Sequence, residues 1–308
     1  MLTGQVIRDG LTYILRGGLR IKNAHLPPSN HMIPADFIGV CVASAPDPAT
    51  DDYVISQLNL LGIKQVRLDF SYGDLNSFIA RFLRALIAQQ FSVSLHLVQP
   101  FTAASNMQSA AEQVIWRQFL VAVLDAFGQN IQHIEIGNTI NRKRWAGYTF
   151  EGFLHTWQIA HSEIKARGIT LVGPNIQDFE PLYNVSLLKT FKQKNQLPEI
   201  HSNNLFSERV SEPERFDHRV FKYRWATIFK FNLVKKARVL KKNWRRFWCE
   251  ATHFASRFLG NLPYSAIITQ WRTETGRLRG TLFFVNGRLW CISASQLGRV
   301  YLSARRLN

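Results

Sequence analysis

The sequence predicts an α/β fold, a (β/α)8 or TIM barrel of which six β/α units can be found. Six short apolar runs with strand character alternate with helical patterns, the rhythm of successive right-handed βαβ units of roughly 30–40 residues. Polar residues gather at the C-terminal ends of several runs, the face a barrel uses for its ligands. No Gly-rich phosphate loop follows the first run, where VASAPDPATDD stands instead, and this disfavours the rival open, doubly wound sheet.

Residues 1–35 read as a lead-in: a basic, Gly-broken, weakly amphipathic segment followed by Pro27, Pro28 and Pro34. The barrel domain spans 36–242. Its strands are expected at 37–43, 64–70, 91–98, 131–138, 169–175 and 199–205. Helices are expected at 51–62, 75–90, 109–127, 149–167, 180–194 and 226–242. Asp51 and Thr149 are expected N-caps, and Gly62, Gly128 and Gly168 stand where C′ glycines end helices.

The 308 residues carry 38 Lys+Arg against 21 Asp+Glu, a net charge of +17, with 46% hydrophobic residues. That apolar fraction excludes a disordered chain, and three cysteines exclude a disulfide scaffold. No apolar run is long enough to span a bilayer, and the N-terminus lacks the apolar core of a secretory signal, so the cytoplasm is the expected compartment. The charge is uneven. Arg215–Lys242 holds ten Lys/Arg and the single acid Asp217, whereas 243–308 uses arginine with no lysine or aspartate. His and Cys are dispersed without ligand spacing, so no metal or other cofactor is expected.

Strand-end residues carry the functional reading. Arg67 and Asp69 share parity on the second strand and point the same way. The third strand carries His96 and ends in Gln99-Pro100. The fourth gives Glu135 and Asn138, with Trp145 following; the fifth gives Asn175 and, just beyond, Asp178. The sixth gives His201 and Asn203, with Glu208 in the next loop. Amides and carboxylates bond hydroxyls and an indole stacks on a sugar face, so this set suits a polyhydroxylated ligand. Bland readings stay open: Arg67–Asp69 as a structural pair, His96 as a satisfied core histidine, Glu135 turned toward the helices, and Cys41 as a small core residue.

At these residues, in DFIGVCVA, VRLDF, the Gln99-Pro100 strand end, IEIGNTINRKRW and LVGPN, residues 36–242 resemble the glycoside-hydrolase superfamily of (β/α)8 barrels. The resemblance is strongest to barrels of bacterial polysaccharide and lipopolysaccharide gene clusters. It implies a carbohydrate ligand shaped by Arg67, Asp69, Asn138, Asn175, His201 and Asn203, with Trp145 stacking on a ring. Retaining members end the fourth strand in Asn-Glu, the Glu being acid/base, and place a nucleophilic Glu on the seventh strand about 5 Å away. Asn138 matches the Asn, but Thr139 occupies the acid/base position, and an ordinary hydroxyl cannot protonate a leaving alkoxide near neutrality. Glu135, Asp178 and Glu208 remain as weak catalytic candidates.

The tail 243–308 lacks the period expected of two more β/α units. A codon choice for Arg272–Arg279, read one base later, yields EQKQADY, and extending that frame gives an amphipathic helix flanked by strand-like runs. The shift would begin at Lys241-Lys242, whose codons can form a slippage-prone run of adenines. The expectation is an inactive carbohydrate-binding barrel of cell-surface polysaccharide metabolism, frameshifted near residue 242. The rival is a peripheral scaffold of envelope assembly, held to anionic inner-membrane headgroups by the basic stretch 215–242. Nucleic acid is not an expected partner, since no recognition motif accompanies the charge.

Overall fold

A computed structural model of the chain describes residues 4–21, 39–205, 216–217 and 230–249, and the strand residues 267–272, 278–285, 288–294 and 300–301. In chain order the elements are α1 (Gly4–Leu15), β1 (Gly39–Val42), α2 (Pro48–Leu60), β2 (Gln65–Ser71), α3 (Phe78–Ala88) and β3 (Ser92–Val98). There follow α4 (Phe101–Ser105), α5 (Ala110–Phe127), β4 (His133–Ile136), α6 (Lys143–Ala146), α7 (Phe150–Ala166) and β5 (Thr170–Gln177). Then come α8 (Pro181–Gln193), β6 (Ile200–Asn204), α9 (Leu233–Cys249), β7 (Ile267–Arg272), β8 (Leu278–Val285), β9 (Arg288–Ala294) and β10 (Val300–Tyr301). Strand order in the sheet follows chain order. The first six strands run parallel with helices between them, the incomplete barrel that the sequence predicts.

All six predicted strands are present, displaced by at most two residues at either end. Two capping assignments are corrected. Helix α2 begins earlier than expected: Asp47 is its N-cap, accepting from the Ala49 amide at 3.0 Å, with Pro48 in the first turn where its missing N–H costs nothing. Asp51 is instead a buried clamp. Its carboxylate takes Ser44 Oγ at 2.9 Å and Arg81 Nη2 at 2.8 Å, tying the loop after β1 to α3. Gly128 is right-handed at φ −57 and opens a short 3-10 turn, whereas Gly62 and Gly168 take the left-handed C′ conformation at φ +66 and +71. Thr149 caps α7 as expected, accepting from Gly152 N at 2.9 Å.

The chain divides into two compact units. One comprises Ile33–Asn175 and Pro198–Ile200. Its parallel ladder runs β1-β2-β3-β4-β5, with Cys41 opposite Arg67, Asp69 opposite His96 and His96 opposite Glu135. Alternation divides the strand faces: Val66, Leu68 and Phe70 on β2, and Val93, Leu95 and Leu97 on β3, are buried apolar residues, while the residues between them are polar. The helix layer is aromatic, with Trp116, Trp157, Phe82 and Phe153 fully buried and Trp116 Nε1 donating to the Thr156 carbonyl at 3.1 Å.

The other unit comprises Met1–Met32, Ile176–Leu197 and His201–Asn308. Here α1 forms within the predicted lead-in and lies against α8. Gly10 permits the approach, since a Cβ there would sit 3.2 Å from Leu182, and Asp9 accepts from Lys189 Nζ at 2.6 Å and Ser186 Oγ at 3.1 Å. Tyr13, Phe179, Phe231, Leu233 and Leu240 belong to one apolar cluster, so the inner stripe of α9 is spent on this core. Helix α9 starts seven residues later than expected and continues to Cys249; residues 226–229 of the expected helix lie outside the described residues. Within the C-terminal segment, β7 pairs parallel with β6, then β8, β9 and β10 follow as an antiparallel meander. Among the described residues β1 has β2 as its one partner, and no helix is long and apolar enough to cross a membrane.

Candidate functional site

The polar faces of β1 to β5 converge on a guanidinium. Arg67 is buried, and its Nε donates to Glu135 Oε2 at 2.5 Å, its Nη1 to Asp69 Oδ1 at 2.9 Å. Nη1 also lies 3.8 Å from Cys41 Sγ, and Nη2 lies 2.6 Å from His96 Nδ1. The second oxygen of Glu135 accepts from Asn175 Nδ2 at 2.7 Å. Glu135 is thus wholly buried with a donor on each oxygen, and it faces the arginine side of the sheet rather than the helices. Burial opposes the charge of Arg67, but Glu135 foremost, then Cys41 and Asp69, outweigh it and hold the guanidinium above its ordinary value. Glu135 serves as a counter-ion.

Asp69 differs from Glu135 although both touch Arg67. Its side chain is 64% exposed. Burial of the surrounding site works to raise its carboxyl, yet the charge and hydrogen bond of His96, with Arg67, hold it well below the usual carboxylate range. It therefore presents an ionised acceptor to solvent. The His96 ring is anchored by Nε2, which donates to the Gly137 carbonyl at 2.8 Å. Its Nδ1 lies 2.8 Å from Asp69 Oδ1 as well as beside Arg67, so it donates to the carboxylate when protonated and accepts from the guanidinium when not. His96 is buried, as the bland reading holds, and at the same time orients Asp69.

The strand ends around this cluster have unusual backbone. Gly137, Thr139 and Asn175 lie at φ +101, +55 and +54. Thr139 is the notable one, because a β-branched residue resists the left-handed region. Its amide donates to the Asn175 carbonyl at 3.1 Å, which joins the end of β4 to the end of β5. Its hydroxyl donates to Asn138 Oδ1 at 3.1 Å, and both side chains are half-buried. Strand parity therefore stops at Ile136 and cannot place Asn138. Trp145, in α6, is 70% exposed, an indole open to a ring.

Of the residues singled out by sequence, Arg67, Asp69, Glu135 and Asn175 meet in one hydrogen-bonded cluster, with His96 among them. His201, Asn203 and Asp178 belong to the other unit. His201 is buried and stacks on Trp244 of α9, with ring centroids 5.6 Å apart, while Asn203 Nδ2 donates to His201 Nδ1 at 3.2 Å. Asp178 is at φ +61 and its amide donates to the Asn204 carbonyl at 2.8 Å. Glu208 lies outside the described residues.

Sequence reasoning missed the network behind Gln99. Tyr148 Oη and Thr156 Oγ1 donate to its Oε1 at 2.9 and 3.0 Å, while its Nε2 donates to Tyr72 Oη at 3.1 Å. Burial foremost pushes the Tyr72 hydroxyl up to about 12, so it stays protonated. The strand-ending Gln-Pro was the available signal; its partners come from α7, the loop before it and the turn after β2. Among the described residues no group of His, Cys, Asp and Glu is arranged to hold a metal.

Burial also sets an acid limit on folding. It holds the His201 ring down to about 3, from 6.5. The unfolded chain accepts a proton that the folded ring refuses, so stability is complete above about pH 6.5 and is lost as pH falls toward 3. His201→Phe keeps a ring against Trp244 and removes this titration. It should flatten the acid limb of a stability–pH curve from urea melts, whatever its uniform cost; an unchanged slope would show the ring does not titrate this way.

No family model matches the chain, and no curated protein matches it. Some solved structures are similar to it in part, at low identity. A GH39 β-xylosidase from Caulobacter crescentus is 13% identical over 76% of this chain and 54% of that one, with a TM-score of 0.48. The GH39 enzyme from Xanthomonas axonopodis pv. citri is 12% identical over 72% and 54%, with a TM-score of 0.46. The GH53 catalytic domain from Ignisphaera aggregans is 12% identical over 73% and 84%, with a TM-score of 0.44. The chain spans about half the length of the GH39 proteins that it matches.

Proposed function

We propose that this chain is a glycoside-hydrolase-like carbohydrate-binding barrel that holds its ligand without retaining hydrolysis. One observation carries the reading: of the two carboxylates on Arg67, Glu135 is sealed by Arg67 and Asn175, while Asp69 is exposed and kept ionised. A carboxylate with both oxygens occupied and no exposure cannot deliver a proton to a leaving group, and Thr139 offers only a hydroxyl. An exposed ionised carboxylate accepts sugar hydroxyls, and Trp145 supplies an apolar platform for a ring. Arg67 and Asn175 then act by positioning rather than by contact.

The expected ligand is a cell-surface polysaccharide, such as lipopolysaccharide core or repeat-unit oligosaccharide, met in the cytoplasm or at the inner face of its membrane. The motifs shared with polysaccharide-cluster barrels support this class. In the same reading 243–308 is translated out of frame from Lys241-Lys242, supported by the missing period of the tail. Sequencing the gene across those codons tests that part, and absence of an open alternative frame would end it. The rival, membrane attachment through the basic stretch 215–242, has less support. Helix α9 directs Lys236 to Asp217 at 2.6 Å and Lys242 to the Arg20 carbonyl at 2.9 Å.

Calorimetric titration with core and repeat-unit oligosaccharides should detect binding. Asp69→Asn and Trp145→Ala should each weaken it roughly ten-fold or more, the scale of one charged hydrogen bond or one stacking platform. Absence of binding across the panel, or binding indifferent to both changes, would sink the proposal.

A further inference from the structure

Helix α1 is docked by one face and bare on another. Val6, Asp9, Gly10 and Tyr13 are buried. Elsewhere on its circumference Ile7, Leu11, Ile14 and Leu15 follow at i, i+4, i+7 and i+8, one continuous stripe. All four are exposed, Leu11 at 57% and Leu15 at 85%. A helix that has already buried its core face ordinarily presents polar residues to water. Here a further apolar face stands open, and Arg8, three residues before Leu11, and Arg20, just beyond the helix, are exposed as well.

The charge near the stripe has one sign. Asp9 is the sole acid between residues 4 and 21, and it is buried and bonded to Lys189 and Ser186. A cleft of about 510 Å³ along the inner side of α1 is lined by Arg16, Lys189 and Lys192, with Asp9 its one carboxylate among the described residues. An apolar ridge with Arg8 and Arg20 beside it and no exposed acid on its helix matches a surface that is apolar below and anionic above. A second copy of the chain would bring like charges together.

We propose that α1 is an interfacial anchor that lays its Ile7–Leu11–Ile14–Leu15 stripe into an anionic lipid surface, with Arg8 and Arg20 at the headgroups. Apolar burial in the headgroup–acyl boundary supplies the insertion, and the arginines supply selectivity for negative lipid. The anchor uses residues upstream of Lys242 alone, so it stands whatever the reading frame of the tail. It draws on no residue of the Arg67 cluster, so a failed glycan titration leaves it untouched.

The full chain should co-sediment with phosphatidylcholine–phosphatidylglycerol vesicles and far less with pure phosphatidylcholine, and the bound fraction should fall as salt rises. The double variant Leu11→Glu/Leu15→Glu should lose binding by roughly ten-fold or more, because two inserted side chains become charged. Its circular dichroism and thermal midpoint should match the parent, since both side chains are exposed. Arg8→Gln/Arg20→Gln should weaken binding and flatten its salt dependence. The proposal falls if the chain stays in the supernatant with anionic vesicles at low salt. It falls equally if the Leu11→Glu/Leu15→Glu protein binds as the parent does, which would move the attraction to another basic region. A concentration-dependent dimer abolished by that variant, with vesicle binding unchanged, would assign the stripe to a second copy and also overturn it.

Discussion

Glu135→Ala should cost about 3–5 kcal/mol of stability in urea melts, because it strands the buried Arg67 guanidinium without its principal counter-charge. The loss should exceed that of Glu135→Gln, which keeps an oxygen for Arg67 while removing the charge. Asn175 would lose its acceptor in the alanine variant as well, leaving a second unpaired donor in the same pocket. The pair itself is not expected to be a large net stabiliser, since burying two charges carries its own desolvation cost. The double variant Arg67→Met/Glu135→Leu should therefore recover much of what Glu135→Ala loses. A single-variant cost below about 1 kcal/mol would show that water reaches the cluster and that Glu135 is not sealed. That would reopen its candidacy as a proton donor, so the stability measurement bears directly on the functional reading.

A comparable loss is expected at Gly137, from geometry rather than charge. A Cβ there would lie 2.4 Å from the Pro174 carbonyl oxygen and 3.1 Å from Phe153, at a φ of +101. Backbone cannot yield as a flexible side chain can, and conformational strain adds to the clash. Gly137→Ala should lower stability by about 3 kcal/mol or more. Gly168→Ala is the control: its φ is +71, but nothing lies within 4 Å of the added methyl, so about 1–2 kcal/mol is expected. Equal shifts of the thermal midpoint would mean that the close approach of β4 and β5 does not constrain Gly137. The same approach sets the backbone that carries Asn138 and Thr139, so Gly137→Ala should also impair any ligand binding that depends on Asn138.

Particular residues show why some of this was legible in sequence. The strands of the first six units could be placed because their apolar residues alternate or run on, a local signal. That Arg67 and Asp69 point the same way follows from parity alone, while their pairing stays one of two open readings in sequence. Glu135 is ambiguous in sequence for an equally definite reason: alternation sets it opposite to Asn138, yet Gly137 turns the chain between them. Asp51 has the sequence pattern of a cap, and its clamp role is hidden because its partner Arg81 is thirty residues away. Position alone groups His201 and Asn203 with the strand-end residues, while Trp244, distant in sequence, is what His201 stacks on. The apolar side of α1 is legible in its period, but which part of it is buried against α8 and which stays exposed is decided by packing.

By itself the sequence determined the class of the fold, the β/α rhythm and the chemical inventory at the strand ends, because period and composition express local preferences of the chain. Tertiary structure alone decided which of two carboxylates on one arginine is sealed and which meets solvent. That difference comes from burial and from donors on other strands, which no spacing along a single strand encodes.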